Sequence, residues 1–301
     1  MSDRALNLPD QGLLWTPQRV AGILLGVAAL LLVSKAILPA GLVRPPEWLV
    51  WPFADWINAI FTFLRDDLGL MHVTRAFAAA VEWLLDVTAN LLYGKNRWPR
   101  IGPIPWTVIA SIGFVIGYAL QGWRLSLLTG GTFVWIAVMG QWKWSMETLS
   151  VIVVAAPFSI LFGLVMGILG WKSRGFEKVL NPMLNIAQSL PHFAYMIPVV
   201  VFIGVGPKAG AIVTIIFSVP PMIRMTILGL RKVPEEVIES GHMCGATRWQ
   251  LLRYVRIPTA RTEILVGVNQ VIMQCLAMVV LASFIGMPGL GQKLLQLLQS
   301  L

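Results

Sequence analysis

The sequence predicts an all-α protein that crosses a membrane several times, and three observations predict it. Apolar residues fill 57% of the 301 positions and charged residues only 12%, about half the charged share of a soluble domain. Mean hydropathy is +0.75, and a soluble fold could not hide that much apolar surface, so lipid must cover part of it. The apolar residues also gather into runs close to the ~20 residues that cross a bilayer. Finally, there are 13 Trp and 27 Gly: Trp favours the membrane interface, and Gly is commoner in membrane helices than in soluble ones.

Each element can be justified in order. Residues 1–19 carry acids as well as bases, and no small-residue cleavage site follows the next apolar run. They therefore read as a cytoplasmic segment, not a signal peptide. The run 20–38 is a first membrane helix, with Lys35 near enough to its end to snorkel to the interface. Across 39–103, apolar pieces around Trp48–Leu64 and Ala76–Leu92 are interrupted by Asp55, Arg65, Asp66, Asp67, Glu82 and Asp86. That pattern predicts interfacial or re-entrant amphipathic helices on the periplasmic side. Spans follow at 104–120 and 125–140, within a region 104–145, and the remainder, 146–301, reads as one core. Within that core 149–170 and 263–285 are spans, and 194–219 is too long for one crossing. Gly204, Gly206, Pro207 and Gly210 mark a turn inside it, giving spans at about 190–205 and 209–228. The carboxyl end, QKLLQLLQSL, is amphipathic and too short to cross.

The net charge of +9 does not imply a nucleic-acid partner. The basic residues cluster in short segments between apolar spans, where they orient the chain and face anionic lipid. Lys172, Arg174 and Lys178 form one cluster; Arg224, Arg231, Lys232, Arg248, Arg253, Arg256 and Arg261 form the other. The positive-inside bias puts both in the cytoplasm, and the two spans between them allow it. Counting back places 94–103 outside, although it holds Lys95, Arg97 and Arg100. Cys244 lies in a basic loop and Cys275 in an apolar span, so no disulfide is expected. His72, His192 and His242 are scattered and give no metal-ligand spacing. No catalytic group stands out.

The informative segment is 231–262, RKVPEEVIESGHMCGATRWQLLRYVRIPTART. It is polar, sits between two spans, and reads as two short helices joined by a glycine turn. Pro234 suits a first helical position. On the helix after it Val237, Ile238 and Gly241 share one face and Glu235, Glu236 and Glu239 the other. Gly245 breaks the chain. Thr247 with Gln250 three residues on has the form of a capping box, Leu251, Leu252 and Val255 lie together on the second helix, and Pro258 stops it. Such a helix–turn–helix can be an ordinary amphipathic loop, or a charged handle for a soluble partner.

The spacing Glu239, then Gly245, then Ile257-Pro258 resembles the EAA loop of ABC importer permeases, with Ser240 and Gly241 in place of two alanines and Gly241 expected to loosen the first helix. The flanks AGAIVTIIFSVPPMIRMTILGLRKVPEEVIESG, GVNQVIMQCLAMVVLASFIGMPGLGQ and LNIAQSLPHFAYMIPVVVFIGVG are similar to the glycine betaine/proline group of these permeases. The resemblance covers about 146–292, is weaker over 75–145 and is absent from the first 70 residues.

It implies a type I ABC importer permease fold with an extra N-terminal membrane helix, in a multi-pass protein of the bacterial inner membrane. It also implies an ATPase-coupling loop over 234–258 in which Glu239, Gly245, Ala246, Arg248, Ile257 and Pro258 shape the contact. Implied partners are an ATP-binding subunit, which would hold ATP and Mg, a periplasmic substrate-binding protein, a second permease copy and membrane lipid. The chain stops at Leu301 without the last helix that the family usually carries. No G-x-x-x-x-G-K-[ST] phosphate loop occurs, so ATP is expected on another subunit. The apolar stretches 149–170, 209–219 and 264–285 hold no Asp, Glu, Lys or Arg. That speaks against the alternative, an ion-coupled secondary transporter, which tends to carry ionisable groups in its spans. Kinks at Pro198 and Pro220-Pro221 would free carbonyls at membrane depth, either to line a pore or simply within helix packing.

Overall fold

The computed structural model describes residues 17–37, 51–63, 70–94 and 102–300. The Lys35 and His72 side chains, most of 94–103 and most of 1–19 lie outside these described residues. No strand occurs among the described residues. The chain divides into two compact units, Met1–Leu64 and Arg65–Leu301.

The first unit holds α1, Pro17–Ile37, 21 residues of apolar helix, and α2, Phe53–Thr62. The rings of Trp51, Phe53 and Trp56 cluster at the start of α2, with centroids 5.6–6.1 Å apart. α2 is ten residues long and amphipathic, with Trp56 inside it.

In the second unit α3 is Leu70–Tyr93. The stretch Ala76–Leu92, whose sequence reads as interfacial or re-entrant, lies inside it. The helix is unbroken over 24 residues, or about 36 Å, long and apolar enough from Thr74 to Tyr93 to cross a membrane. Ala78, Val81, Leu85 and Ala89 form its buried stripe, while Arg75 is exposed and Glu82 and Asp86 are half-buried.

The pair α4, Trp106–Gln121, and α5, Trp123–Val138, forms a hairpin about Gly122, whose φ of +79° suits glycine. Ser126 and Thr129 of α5 donate hydrogen bonds to the carbonyls of Phe114 and Gly113 at 2.8 Å. Each helix has 16 residues, roughly 24 Å, against the ~30 Å of a hydrocarbon core.

The centre is α6, Trp142–Lys172, α9, Pro207–Arg231, and α12, Arg261–Leu281, extended by a 3₁₀ turn Ala282–Ile285. Between α6 and α9 lie α7, Arg174–Ser189, and α8, His192–Ile203, bent by 103° at Leu190-Pro191. With α7 and α8 counted as one crossing, the chain leaves one end of the bundle and returns to it through α9. The two basic clusters thus share an end, where Arg231 forms an ion pair with Glu177.

Small residues let α6 and α9 approach. Ser159 and Ser218 share a 2.8 Å hydrogen bond in the buried interface, and one and two turns further on Gly163 faces Met222 and Gly167 faces Thr226. The proline pair Pro220-Pro221 is buried inside α9, which runs through it without a break. Pro198 lies beside an apolar crevice of about 430 Å³ that Phe77, Tyr195 and Ile212 also line.

The helices reach beyond the apolar windows of the sequence. As a result α6 includes Lys143 and Glu147, and α9 includes Lys208. At the far end α13, Leu290–Gln299, is short and amphipathic, as expected. Its first amide, Leu290 N–H, donates to Thr148 Oγ1 at 3.0 Å.

Candidate functional site: a rigid loop between two membrane-length helices

The loop 234–258 is two helices and a four-residue turn, and local chemistry explains each joint. Pro234 is the N-cap of α10, Glu235–Met243, one position earlier than the sequence suggested. Beyond Cys244 the chain turns at Gly245, φ +73°. Gly245 N–H donates to His242 O at 2.9 Å and Ala246 N–H to Gly241 O at 3.2 Å. That pair of bonds is a Schellman cap, in which the left-handed residue is nearly always glycine.

Thr247 then opens α11 with the anticipated capping box. Its Oγ1 accepts from Gln250 N–H, while Gln250 Oε1 accepts from Thr247 N–H at 2.9 Å. A C-cap followed directly by a capping box leaves no slack between the helices.

Pro258 does not stop α11. The chain runs as Arg248–Gln250, a π-helical stretch Leu251–Arg256, and Ile257–Thr259, and ends at Ala260. The physical reason is the wider π turn, in which Ile257 N–H bonds back to Leu252 O. It gives the proline ring room that a regular α turn would deny.

Gly241 also has a positive role. A Cβ there would stand 2.7 Å from Leu251 Cδ1 and 3.4 Å from Val255 Cγ2, so glycine lets α10 and α11 touch rather than loosening the first helix. Gly241→Ala, which restores an alanine of the motif, is expected to be tolerated. The Leu251 methyl can swing aside, and alanine adds about 0.8–1 kcal/mol of helix propensity. Gly241→Leu would collide with both neighbours, and a thermal melt of the solubilised protein should show a clear fall for it alone.

The loop is stapled to three spans. Leu252 packs in a buried cluster with Leu230, Val233 and Ala260, bordered by Ile168, Trp171, Ile238, Ile257 and Ile264. Arg256 places its guanidinium 4.8 Å from the ring centroid of Trp171. Burial lowers its pKa, and the Glu235 carboxylate pulls the other way. Lys232 pairs with Glu263 at 3.4 Å where α9 and α12 meet. Trp171, Leu230, Val233, Glu235, Ile238 and Arg256 border a cavity of about 770 Å³ between α7 and α10.

Of the residues singled out from sequence, Glu239, Gly245, Arg248 and Pro258 are exposed, and Ala246 and Ile257 half-buried. The loop brings Glu239 through Pro258 onto one compact element, away from Pro198, Pro220 and Pro221. Sequence reasoning passed over Met243, Trp249 and Tyr254, which are 91%, 67% and 68% exposed. The available signal was a tryptophan and a tyrosine inside an otherwise charged loop. Trp171 and Arg256 were missed because their pairing joins positions far apart in the chain. Cys244 is exposed and Cys275 buried, both with free thiols. The His192 ring lies against Phe217 with centroids 4.5 Å apart.

Residues 159–301 match the family described as binding-protein-dependent transport system inner membrane component. Over 80% of this chain and 79% of that protein, 31% of residues are identical to the glycine betaine transport system permease protein OpuAB of Bacillus subtilis. The chain belongs to this permease family. It is thus a multi-pass inner-membrane protein.

The permease is 57% identical over 287 residues to the trimethylamine N-oxide transport system permease protein TmoV of Ruegeria pomeroyi, and 42% identical over 270 residues to that of Pelagibacter ubique. The first match takes in 94% of this chain, so similarity extends well into the first 70 residues, beyond the stretch where the sequence motifs carry it. The permease spans 44% and 37% of the lengths of those two relatives. Among solved structures, the methionine ABC transporter MetNI aligns with 54% of this chain at 24% identity and a TM-score of 0.45.

Proposed function

We propose that this permease is the membrane path of an ATP-driven importer for a small methylated-amine solute of the betaine or trimethylamine N-oxide class, and that an ATP-binding subunit docks on 234–258. One observation supports the docking most. A turn locked by two consecutive caps presents Met243, Trp249 and Tyr254 to solvent, and exposed aromatic anchors on a rigid element suit a partner surface. Glu239, Gly245, Ala246, Arg248, Ile257 and Pro258 then frame the contact. ATP and Mg would be held by the docked subunit.

Motion of the ATPases would pass through the loop into α6, α9 and α12, to which it is packed, and turn the path from one face of the membrane to the other. A periplasmic binding protein delivers the solute, and two permease copies receive two ATPases. The solute class rests on what the relatives are named for.

Extraction from native membranes tests the reading. The permease is expected to carry a stoichiometric ATP-binding subunit. Gly245→Val, a β-branched residue forced to positive φ, is expected to release it and abolish uptake while leaving membrane insertion intact. Glu239 replacements should weaken uptake similarly. Purification without any ATPase, with uptake driven instead by an ion gradient, would favour a secondary transporter.

A further inference from the structure

The end of the bundle away from the 234–258 loop carries a second feature that the coupling reading does not use. Between the last turn of α3, the first turns of α6 and α9 and the turn before α13 lies a cavity of about 860 Å³. Its lining includes Tyr93, Trp142, Lys143, Glu147, Glu82 and Lys208. Two aromatic rings, two carboxylates and two ammonium groups therefore converge on one space, at the end that the basic clusters place outside the cytoplasm.

The parts are held in place. Trp142 is braced by Trp106 and Phe133, with ring centroids 6.5 and 6.4 Å away. Glu147 is only 7% exposed. The adjoining turns are joined by Gly206 N–H donating to Ile285 O at 2.9 Å. Glu82 and Lys208 form an ion pair at 3.3 Å, and the same two side chains also line a neighbouring cavity of about 410 Å³ with Arg75 and Ala78. The pair is thus a partition between two spaces.

We infer that the larger cavity is a low-affinity site for the solute itself, a small molecule joining a methylated nitrogen cation to an oxygen anion. A quaternary nitrogen has no N–H to donate, so it is held by ring faces and carboxylates. Trp142, Tyr93 and Glu147 supply these. The anionic oxygen needs a cationic donor, which Lys143 and Lys208 supply. A volume within the ~300–1,000 Å³ range of small-molecule sites admits such a solute. The Glu82–Lys208 pair is the internal contact that the solute's own two charges can replace as it moves to the next cavity. This assignment rests on the importer reading above.

The test uses the complete permease–ATPase complex in nanodiscs without its binding protein, titrated with radiolabelled glycine betaine and trimethylamine N-oxide. Uptake by the same complex with binding protein is measured in parallel. Saturable millimolar binding is expected for one solute, and Trp142→Ala should weaken it about tenfold, the scale of one desolvated cation–π contact. Glu147→Gln should weaken it too, while Trp142→Phe, which keeps a ring and the packing, should retain most of it and shows that loss in the alanine variant is not misfolding. If the unsubstituted complex takes up a solute but Trp142→Ala and Glu147→Gln bind and transport it unchanged, the cavity assignment is wrong and the importer reading stands. The same holds if that complex transports a solute yet shows no binding. If it takes up neither solute, both fall.

Discussion

Gly167→Leu is expected to leave the permease unable to form a stable, monodisperse bundle. A Cβ at Gly167 would stand 2.5 Å from Thr226 Cβ, 2.8 Å from Thr226 Cγ2 and 3.1 Å from the Ile223 carbonyl oxygen. None of these is the loose end of a flexible side chain, so α6 and α9 themselves would have to separate. In a membrane no hydrophobic force pulls helices together, because lipid tails are as apolar as leucine. Close packing and interhelical hydrogen bonds supply the association instead.

Separation would also break the Ser159–Ser218 hydrogen bond and loosen Gly163 from Met222, whose Cβ lies 2.6 Å from a Cβ built there. Overpacking of a tight interior typically costs 1–3 kcal/mol, and more when backbones must move. Size-exclusion profile and yield after mild extraction measure the outcome. Gly131→Leu serves as the control, since a Cβ at Gly131 meets nothing within 4 Å. Equal profiles for the two variants would mean that the contact between α6 and α9 does not hold the bundle together.

Much of this architecture was legible in the sequence, for identifiable reasons. Apolar runs report lipid contact directly, so α1, α6, α9 and α12 were found where the runs are. Turn chemistry is equally local: Gly245 and the Thr247/Gln250 pair specify their caps within a few residues. What could not be read depends on partners far along the chain. The charges of α3 hid a spanning-length helix, because only the fold reveals that Ala78, Val81, Leu85 and Ala89 lie in one buried stripe. Apolar windows end before helices do, which left Glu147 and Lys208 outside the expected spans. Pro258 looked like a terminator because a proline is judged against a regular α turn, and the π stretch before it cannot be seen from composition. The role of Gly241 likewise waits on knowing that Leu251 faces it.

Arg256→Ala is expected to lower the amount of solute moved per ATP hydrolysed. The Arg256 guanidinium lies over the Trp171 ring, and Trp171 is in the last turn of α6, the longest helix of the bundle at 31 residues. Burial lowers the Arg256 pKa and Glu235 opposes that shift, and an arginine so placed remains a cation at any physiological pH. The contact is therefore a permanent link between the 234–258 loop and α6, independent of proton concentration. A cation–π contact of about 0.5–2 kcal/mol corresponds to roughly a 2- to 30-fold change in an equilibrium between coupled and slipped states. The ratio of solute imported to ATP hydrolysed should fall by a factor in that range. Arg256→Lys keeps the charge but not the planar stacking, and should give an intermediate ratio. Trp171→Leu should match Arg256→Ala, and the double variant should be no worse than either, because both remove one shared contact. Additive losses would instead show that the two side chains act separately, and motion would then have to reach α6 through the apolar cluster around Leu252 alone.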